Sequence, residues 1–569
     1  MKKDITKNII AVLKEKGVES PKVSLDIPAQ TKLGDYSTSV ALAYSKELGT
    51  KPLDLALDIK ERLVALGQKH ILRIDVIAPG FINFFFDEHY FGKNDSEILE
   101  KGEEFAKNKN LDGQKTIIEY TVCNVLKPMH IGHLMGNVIG ESLSRVIEST
   151  GAKVRRNNYQ GDSGLHIAKA VWGILKMGGE KTGSLSEKTD YIGKAYALGA
   201  TAYDDEPESQ KEIKELNKKI FEKSDESLNA LYQWGRQVSL DHFEELYKKL
   251  GTKFDYYFFE SEVAEPALTI VREFLGKGVF EESDGAIVFK GEKYDPKLHT
   301  RVFISSEGLP MYEAKDIAHA IRKYDAYKFD QSIIVTANEQ DQYFKVVLRA
   351  LEEINSEIAR KTKHISHGLL KLTTGKMSSR KGNVVTGETL ISDVEELVQE
   401  KLIDREFSEE EKKEIAEIVA IGAIKYSILR QAIGGDIIFD VEKSISFEGD
   451  SGPYLQYSAV RANSVLERAQ FSISNFQFSI PENWEITNLE RFLERFPDVV
   501  ARAGTGYAPH HIVTYLIELA GEFNSFYAGH KIIDATDTSS PYRLALTKAF
   551  VTVMTSGLDL LGIKVPERM

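Results

Sequence analysis

Cysteine is almost missing from this chain. Cys123 stands alone among 569 residues, which excludes an internal disulfide framework and any zinc or iron–sulfur site built on clustered thiolates. Long hydrophobic runs are missing too: the longest strongly apolar stretch, Phe81-Ile82-Asn83-Phe84-Phe85-Phe86, is far too short to cross a bilayer. No continuous apolar segment follows the basic start Met1–Thr6. Ile5, Ile9, Val12 and Leu13 instead recur on one helix face, with Lys14, Glu15 and Lys16 beyond, so no signal peptide is read, no membrane is expected as a partner, and a cytoplasmic location is expected. An excess of positive charge is lacking as well. The net charge of −13 does not advertise a nucleic-acid binder, although whole-chain charge speaks to solubility and steering rather than to local faces. Short basic clusters at Lys153–Arg156 and Lys371–Lys381 leave such faces open.

What is present is length enough for three or four domains, without internal repeats or low-complexity tracts. Residues 1–110 read as a small α+β unit: an amphipathic helix, helical segments near 38–67, and strand-like runs Ile71–Ile77 and Phe81–Phe86 around the turn Ala78-Pro79-Gly80. From Thr116 the rhythm becomes strand–helix–strand–helix: Ile117–Val122, Ile131–Thr150, Val154–Tyr159, then a helix from Leu165. Those spacings point to a parallel sheet with crossover helices. A charge-rich helical insertion spans about 178–250, after which strands Val302–Ser305 and Ser332–Thr336 alternate with helices Ala314–Tyr324 and Tyr343–Ile354. From Thr386 onward the chain reads as almost wholly helical. The expected fold is therefore α/β multidomain: a split doubly wound, Rossmann-like parallel-sheet domain over 111–385, an α+β domain before it, a helical stem over 386–447, and an α-helical bundle domain over 448–569.

Chemistry is concentrated in two motifs. His130-Ile131-Gly132-His133 sits where a buried strand hands over to a helix. The helix N-terminus offers free N–H groups and the positive dipole end to an anion. Residues three apart share a face, and Gly132 leaves the backbone open to close approach. No third His, Cys or carboxylate stands at a metal-ligand spacing nearby, so nucleotide binding is favoured over metal binding. The second motif, Lys376-Met377-Ser378-Ser379-Arg380-Lys381, is a Gly-bounded loop of three cations suited to stabilising charge during nucleotidyl transfer.

Together these resemble the HIGH and KMSKS signatures of class I aminoacyl-tRNA synthetases. Ser379 stands where the consensus has its second Lys, and Arg380 where it has its last Ser. The resemblance implies an ATP site formed by His130, Gly132, His133, Lys376, Met377 and Ser378, with catalytic roles for His130, His133, Lys127, Lys376 and Lys381. The segment Glu119–His133 resembles the arginyl-tRNA synthetase version of the motif. A pocket for arginine needs carboxylates with bidentate or stacking partners. The resemblance assigns the guanidinium to Tyr312, Asp316 and Glu260, and the amino-acid end to Asn124, Gln340, His133 and Glu119. It further implies that ATP enters with Mg2+, that no zinc is required, and that activation needs bound tRNA.

Gly452-Pro453-Tyr454-Leu455-Gln456-Tyr457-Ser458-Ala459-Val460-Arg461 resembles the entrance to that family's anticodon-binding domain, and Leu560–Met569 its characteristic ending. Tyr454, Gln456, Tyr457 and Arg461 are thus expected tRNA contacts, as unstacked bases suit aromatic and guanidinium planes. Phe81 and Asn83 are carried over as contacts of the N-terminal domain with tRNA. The expected reaction is ligation of L-arginine to tRNA(Arg) at the cost of ATP, by a monomer. Alternatives are another class I synthetase, lysyl or cysteinyl (the latter opposed by the single cysteine), a non-catalytic tRNA-binding paralogue, or a small-molecule nucleotidyltransferase.

Overall fold

The structure, a computed structural model, describes residues 1–28, 30–373, 386–470 and 478–569. These fall into two compact units. One comprises Met1–Ala106, Arg461–Pro497 and Ile517–Ser556; the other comprises Lys107–Val460, Asp498–Leu516 and Gly557–Met569. Among the described residues, no helix is long and apolar enough to cross a membrane.

The first unit opens with α1 (Lys2–Glu15), β1 (Tyr36–Thr38), α2 (Val40–Tyr44), α3 (Pro52–Ala65), β2 (Ile71–Ile77), β3 (Phe81–Phe86) and α4 (Glu88–Lys101). Helix α1 buries Ile5, Ile9, Val12 and Leu13, the stripe its sequence period predicts. That face packs in one core with Leu55, Ile59 and Leu63 of α3 and Ile82, Phe84 and Phe86 of the sheet, whose antiparallel order is β1-β3-β2. The Asp35 carboxylate accepts from the Phe86 amide at 2.8 Å and from Arg491 Nε at 2.8 Å. Farther along the chain, Phe523 and Phe550 stack with ring centres 3.9 Å apart.

The second unit carries the parallel sheet. In chain order it holds β4 (Lys115–Glu119), α5 (Ile131–Ser149), β5 (Lys153–Gln160), α6 (Leu165–Lys176), α7 (Leu185–Asp205), α8 (Pro207–Glu222), α9 (Glu226–Leu250), β6 (Tyr256–Phe259), α10 (Glu260–Gly276), β7 (Glu281–Ser283), β8 (Ala286–Lys290), β9 (Thr300–Ile304), α11 (Tyr312–Ala326), β10 (Gln331–Ala337), α12 (Asp341–Ile354), α13 (Ser356–Lys361), β11 (Thr362–His367), β12 (Leu370–Leu372), α14 (Gly387–Lys401), α15 (Glu409–Leu429) and β13 (Ile437–Phe439). Five strands run parallel in the order β11-β10-β4-β5-β6. The chain crosses from β4 outward to β6, then returns past β4 to lay down β10 and β11. The order reverses between β4 and β10, and the crevice beyond the carboxyl ends of the strands there is where open α/β sheets bind ligands.

Two sequence expectations need correction. The first strand stops at Glu119 rather than Val122, because Thr121 and Val122 turn to φ +76° and +49°. Such a backbone is costly for residues with a Cβ and is typically held at functional sites. Residues 256–304 supply an edge strand, β6, and a separate antiparallel sheet, β7-β8-β9, of which the sequence suggested one strand. After Thr386 the described regular elements are helices except for β13, which pairs in parallel with β12. The insertion is helical as expected, formed by α7, α8 and α9.

Candidate active site

His130 is the N-cap of α5, in extended backbone conformation. Its amide donates to Nδ1 of His133 at 3.3 Å, which leaves Nε2 as the proton-bearing nitrogen of a neutral His133. The two rings stack with centres 3.5 Å apart. Burial holds the His133 pKa well below the usual histidine range, with His130 and Lys127 adding to the effect. His130 is pushed down to about 4, by burial first and then by Lys127 and His367. Both imidazoles are therefore neutral at pH 7 and act as hydrogen-bonding groups, not cations. A Cβ on Gly132 would lie 3.0 Å from Cε1 and Nδ1 of His130. The space expected for a ligand beside that glycine is occupied by the His130 ring itself.

Helix α11 supplies the other wall. Tyr312 is its first residue, and Asp316, His319 and Lys323 continue the same face at intervals of four, three and four. Lys323 Nζ and His319 Nε2 reach Glu119 Oε2 at 2.8 and 2.7 Å, and Asn157 Nδ2 donates to the same oxygen at 2.8 Å. Burial raises the Glu119 pKa, but Lys323 and His319 outweigh it and hold the carboxyl far below its usual value. Glu119 is thus a buried anion with its own cation. Glu260, the first residue of α10, is likewise committed: Lys315 Nζ pairs with it and Ser163 Oγ donates to it at 3.2 Å. Asp162 is paired with Arg236 Nε at 3.0 Å and accepts from the Ser261 amide and hydroxyl, each at 2.8 Å.

Asp316 differs from these three. It accepts one hydrogen bond, from Tyr343 OH at 2.6 Å. Among the described residues no cation lies within ion-pair distance of it. Its pKa is raised to about 8, by burial first and then by Glu119 and Glu260, against the lowering effect of Tyr343 and Lys315. Tyr312 is exposed, with Lys315 Nζ 4.5 Å above its ring. Asn124 forms a backbone bridge with Gly161, and a Cβ on Gly161 would lie 2.0 Å from Asn124 Oδ1, so the glycine is needed for the amide to lie there. Gln340 is exposed at the N-cap of α12, just past the end of β10. Lys127 is half-buried, its Nζ 5.5 Å from the Tyr196 ring centre.

The insertion braces both loops of the site, a role that no local sequence signal announced. Ser239 Oγ of α9 accepts from the Leu126 amide at 2.9 Å, where the backbone turns to φ +59°, and a Cβ on Gly235 would lie 2.4 Å from Leu126 Cδ2. Tyr232 OH donates to the Asp162 carbonyl at 2.8 Å. Arg236 adds its pair with Asp162 and lies 4.1 Å over the Phe259 ring.

Lys376, Met377, Ser378 and Lys381 lie outside the described residues. Of the expected nucleic-acid contacts, Phe81, Tyr457 and Arg461 are exposed and Tyr454 is half-buried, while two need correction. Asn83 is buried with Oδ1 taken by Ser37 Oγ at 2.6 Å. Gln456 is fully buried, its Nε2 donating to the carbonyls of Ile418 and Lys564 at 3.2 and 2.6 Å, so it fastens the chain's last residues instead of facing a partner. Arg461 lies 4.4 Å over the Tyr527 ring.

Three family models match this chain. One described as tRNA synthetases class I (R), catalytic domain, covers residues 95–441; the DALR anticodon binding domain covers 455–569; the arginyl tRNA synthetase N terminal domain covers 1–86. The arginine–tRNA ligase of Halothermothrix orenii is 30% identical over 557 residues, 97% of this chain and 96% of that protein. That of Streptococcus mutans is 31% identical over 569 residues, 99% of each. Among solved structures, Thermus thermophilus arginyl-tRNA synthetase aligns with a TM-score of 0.80 at 23% identity, covering 100% of both chains. The Plasmodium falciparum enzyme gives 0.79 at 21% identity, covering 100% of this chain and 99% of that one.

Proposed function

This chain belongs to the class I arginyl-tRNA synthetases, and from that premise we propose how its residues divide the work of an arginine–tRNA ligase. The enzyme joins L-arginine to tRNA(Arg) at the cost of ATP, releasing AMP and pyrophosphate. The observation that supports the arginine pocket is the charge balance at the carboxyl edge of the sheet. Four carboxylates gather there. Glu119, Glu260 and Asp162 each have a cation of their own, and Asp316 has none among the described residues. A planar guanidinium supplies that missing charge, with Tyr312 beside it and Asn124 and Gln340 toward the amino-acid end.

The arginine carboxylate attacks the α-phosphate of ATP, which enters as its Mg2+ complex. The backbone amides at the start of α5, that of Gly132 among them, receive the nucleotide, while the His130 ring fills the space beside the Gly132 Cα. The neutral His133 donates Nε2–H to the phosphate region, with His130 stacked against it. Because both imidazoles are uncharged, the positive charge that stabilises the departing pyrophosphate falls to Lys127, Lys376 and Lys381. The 3′-terminal hydroxyl of tRNA then attacks the adenylate carbonyl and AMP leaves. Residues 1–110 and 448–569 carry the tRNA-facing surfaces, including Phe81, Tyr454, Tyr457 and Arg461; residues 111–385 hold the catalytic domain and 386–447 the stem. The enzyme works as a cytoplasmic monomer.

ATP–pyrophosphate exchange with each amino acid, with and without tRNA, tests the assignment. Exchange is expected with arginine alone and only when tRNA is present. Exchange driven by lysine or cysteine in place of arginine overturns the pocket reading.

A further inference from the structure

We infer that Tyr159 is a specificity-determining residue of the arginine pocket, its phenolic oxygen accepting a hydrogen bond from a guanidinium N–H of the bound amino acid. The inference rests on the placement of arginine at Asp316 and adds to it a neutral contact.

Tyr159 is the second-last residue of β5, two positions beyond Asn157 and therefore on the same face of the sheet. Its ring lies flat on His319 of α11, with centres 3.9 Å apart and planes within 6°. His319 and Asn157 are in turn fixed by their bonds to Glu119. The ring is thus held flat against a group that is itself fixed. Only 5% of the residue is exposed, yet its hydroxyl makes no hydrogen bond with any described protein group. Buried hydroxyls are almost always paired, and an unpaired one costs stability.

The surroundings of that oxygen say what would pair it. The carboxylates of Glu260, Asp316, Glu119 and Asp162 all bear on it. Three of these are saturated by cations, and Asp316 is held by Tyr343. A ligand brought here by Asp316 is a cation with N–H donors. A guanidinium has five N–H bonds spread over a plane, more than one carboxylate can accept, so donors are left for a neutral acceptor. Tyr159 offers a phenolic oxygen that no described protein group occupies, so its lone pairs are open to one of those donors. A lysine ammonium is a compact point charge without this planar spread, so the contact favours arginine over lysine.

Tyr159→Phe tests this, because it keeps the ring and its stack on His319 while removing the oxygen. Arginine KM and the arginine Kd are expected to rise about tenfold, the loss of one charge-assisted hydrogen bond. The kcat and the KM for ATP should stay within about twofold. The melting temperature without arginine should hold or rise, since an unpaired buried hydroxyl has been removed. An arginine Kd within about twofold of wild type overturns the inference, as does a fall in melting temperature with unchanged Kd, the signature of a purely structural tyrosine. Asp316→Asn, measured alongside, separates the two layers. If it leaves arginine binding intact, the pocket itself has been misplaced, whereas loss of binding there with none in Tyr159→Phe places the failure on Tyr159.

Discussion

At pH 7 Asp316 holds a proton that an incoming guanidinium must expel. Its pKa, about 8 in the empty pocket, is raised because burial and two neighbouring carboxylates disfavour a further negative charge. A bound cation reverses that preference, so arginine binding releases a proton below pH 8. Affinity for arginine is therefore expected to rise between pH 6 and 8, approaching about tenfold per pH unit, and to level off above. Arginine KM measured across this range checks it; Asp316→Asn should raise KM at every pH and flatten the profile. The same scale of reasoning applies at Gly132. A methyl group there meets the His130 ring at 3.0 Å, and the ring must shift from its stack on His133. Gly132→Ala is expected to lower kcat for adenylate formation about a hundredfold, the scale on which misplacement by about 1 Å acts, with tRNA binding nearly unchanged. Loss of tRNA binding in filter assays would instead place the histidine pair on the nucleic acid.

Helix α9 shows how an element without catalytic groups sets the geometry of those that have them. Arg236 neutralises an Asp162 side chain with no solvent exposure, and that aspartate fixes the loop carrying Gly161 and the start of α10, where Glu260 sits. Arg236→Ala leaves a buried carboxylate without its cation, a loss on the order of 3 kcal/mol. It is expected to lower the melting temperature by several degrees and to raise arginine KM. An unchanged KM in a stably folded variant would reduce the helix to a scaffold. None of this was legible in the sequence. Ser239 and Arg236 meet partners 113 and 74 positions away, and nothing in a charged helical run marks which of its residues turn inward to a distant loop. Tyr256–Phe259 escaped notice for another reason: four aromatics in a row show no alternation, so the edge strand β6 had no period to betray it. By contrast α1 could be read directly, because one apolar stripe faces one core. Local geometry was legible at short spacing, as in the stacked His130 and His133 or Tyr312 and Asp316 on one face of α11. It was misread at Asn83 and Gln456, whose polar side chains turn inward to partners that only the fold supplies.

The second unit is finished by its own last residues, and Lys425 is where that closure meets titration. Ser142 and Arg145 of α5, the helix that begins at His130, bond to the Leu560 carbonyl at 3.1 Å and the Asp559 carboxylate at 2.6 Å. Gln456 holds the Lys564 carbonyl. Between them Lys425 Nζ, fully buried, donates to the carbonyls of Leu250 at 2.7 Å and Gly562 at 2.5 Å. Two carbonyl dipoles do not replace the hydration of an ammonium. Burial first, then Arg145, accordingly depresses the Lys425 pKa to about 7, against the partial compensation of Glu141. The unfolded chain keeps the ordinary value near 10.4. Between about pH 7 and 10 the unfolded state therefore binds a proton that the folded state does not, and folding stability must rise with pH through that window. Below pH 7 both states are protonated and the contribution is flat. Lys425→Met removes the titrating group at similar volume while leaving the two carbonyls without their donor. The stability of wild type minus that of the variant, from urea unfolding at a series of pH values, is expected to climb from pH 7 to 10 by at most about 1.4 kcal/mol per unit. A difference that does not change with pH would mean that Lys425 keeps its charge in the fold, and that the chain's end is held by an ammonium rather than by an amine.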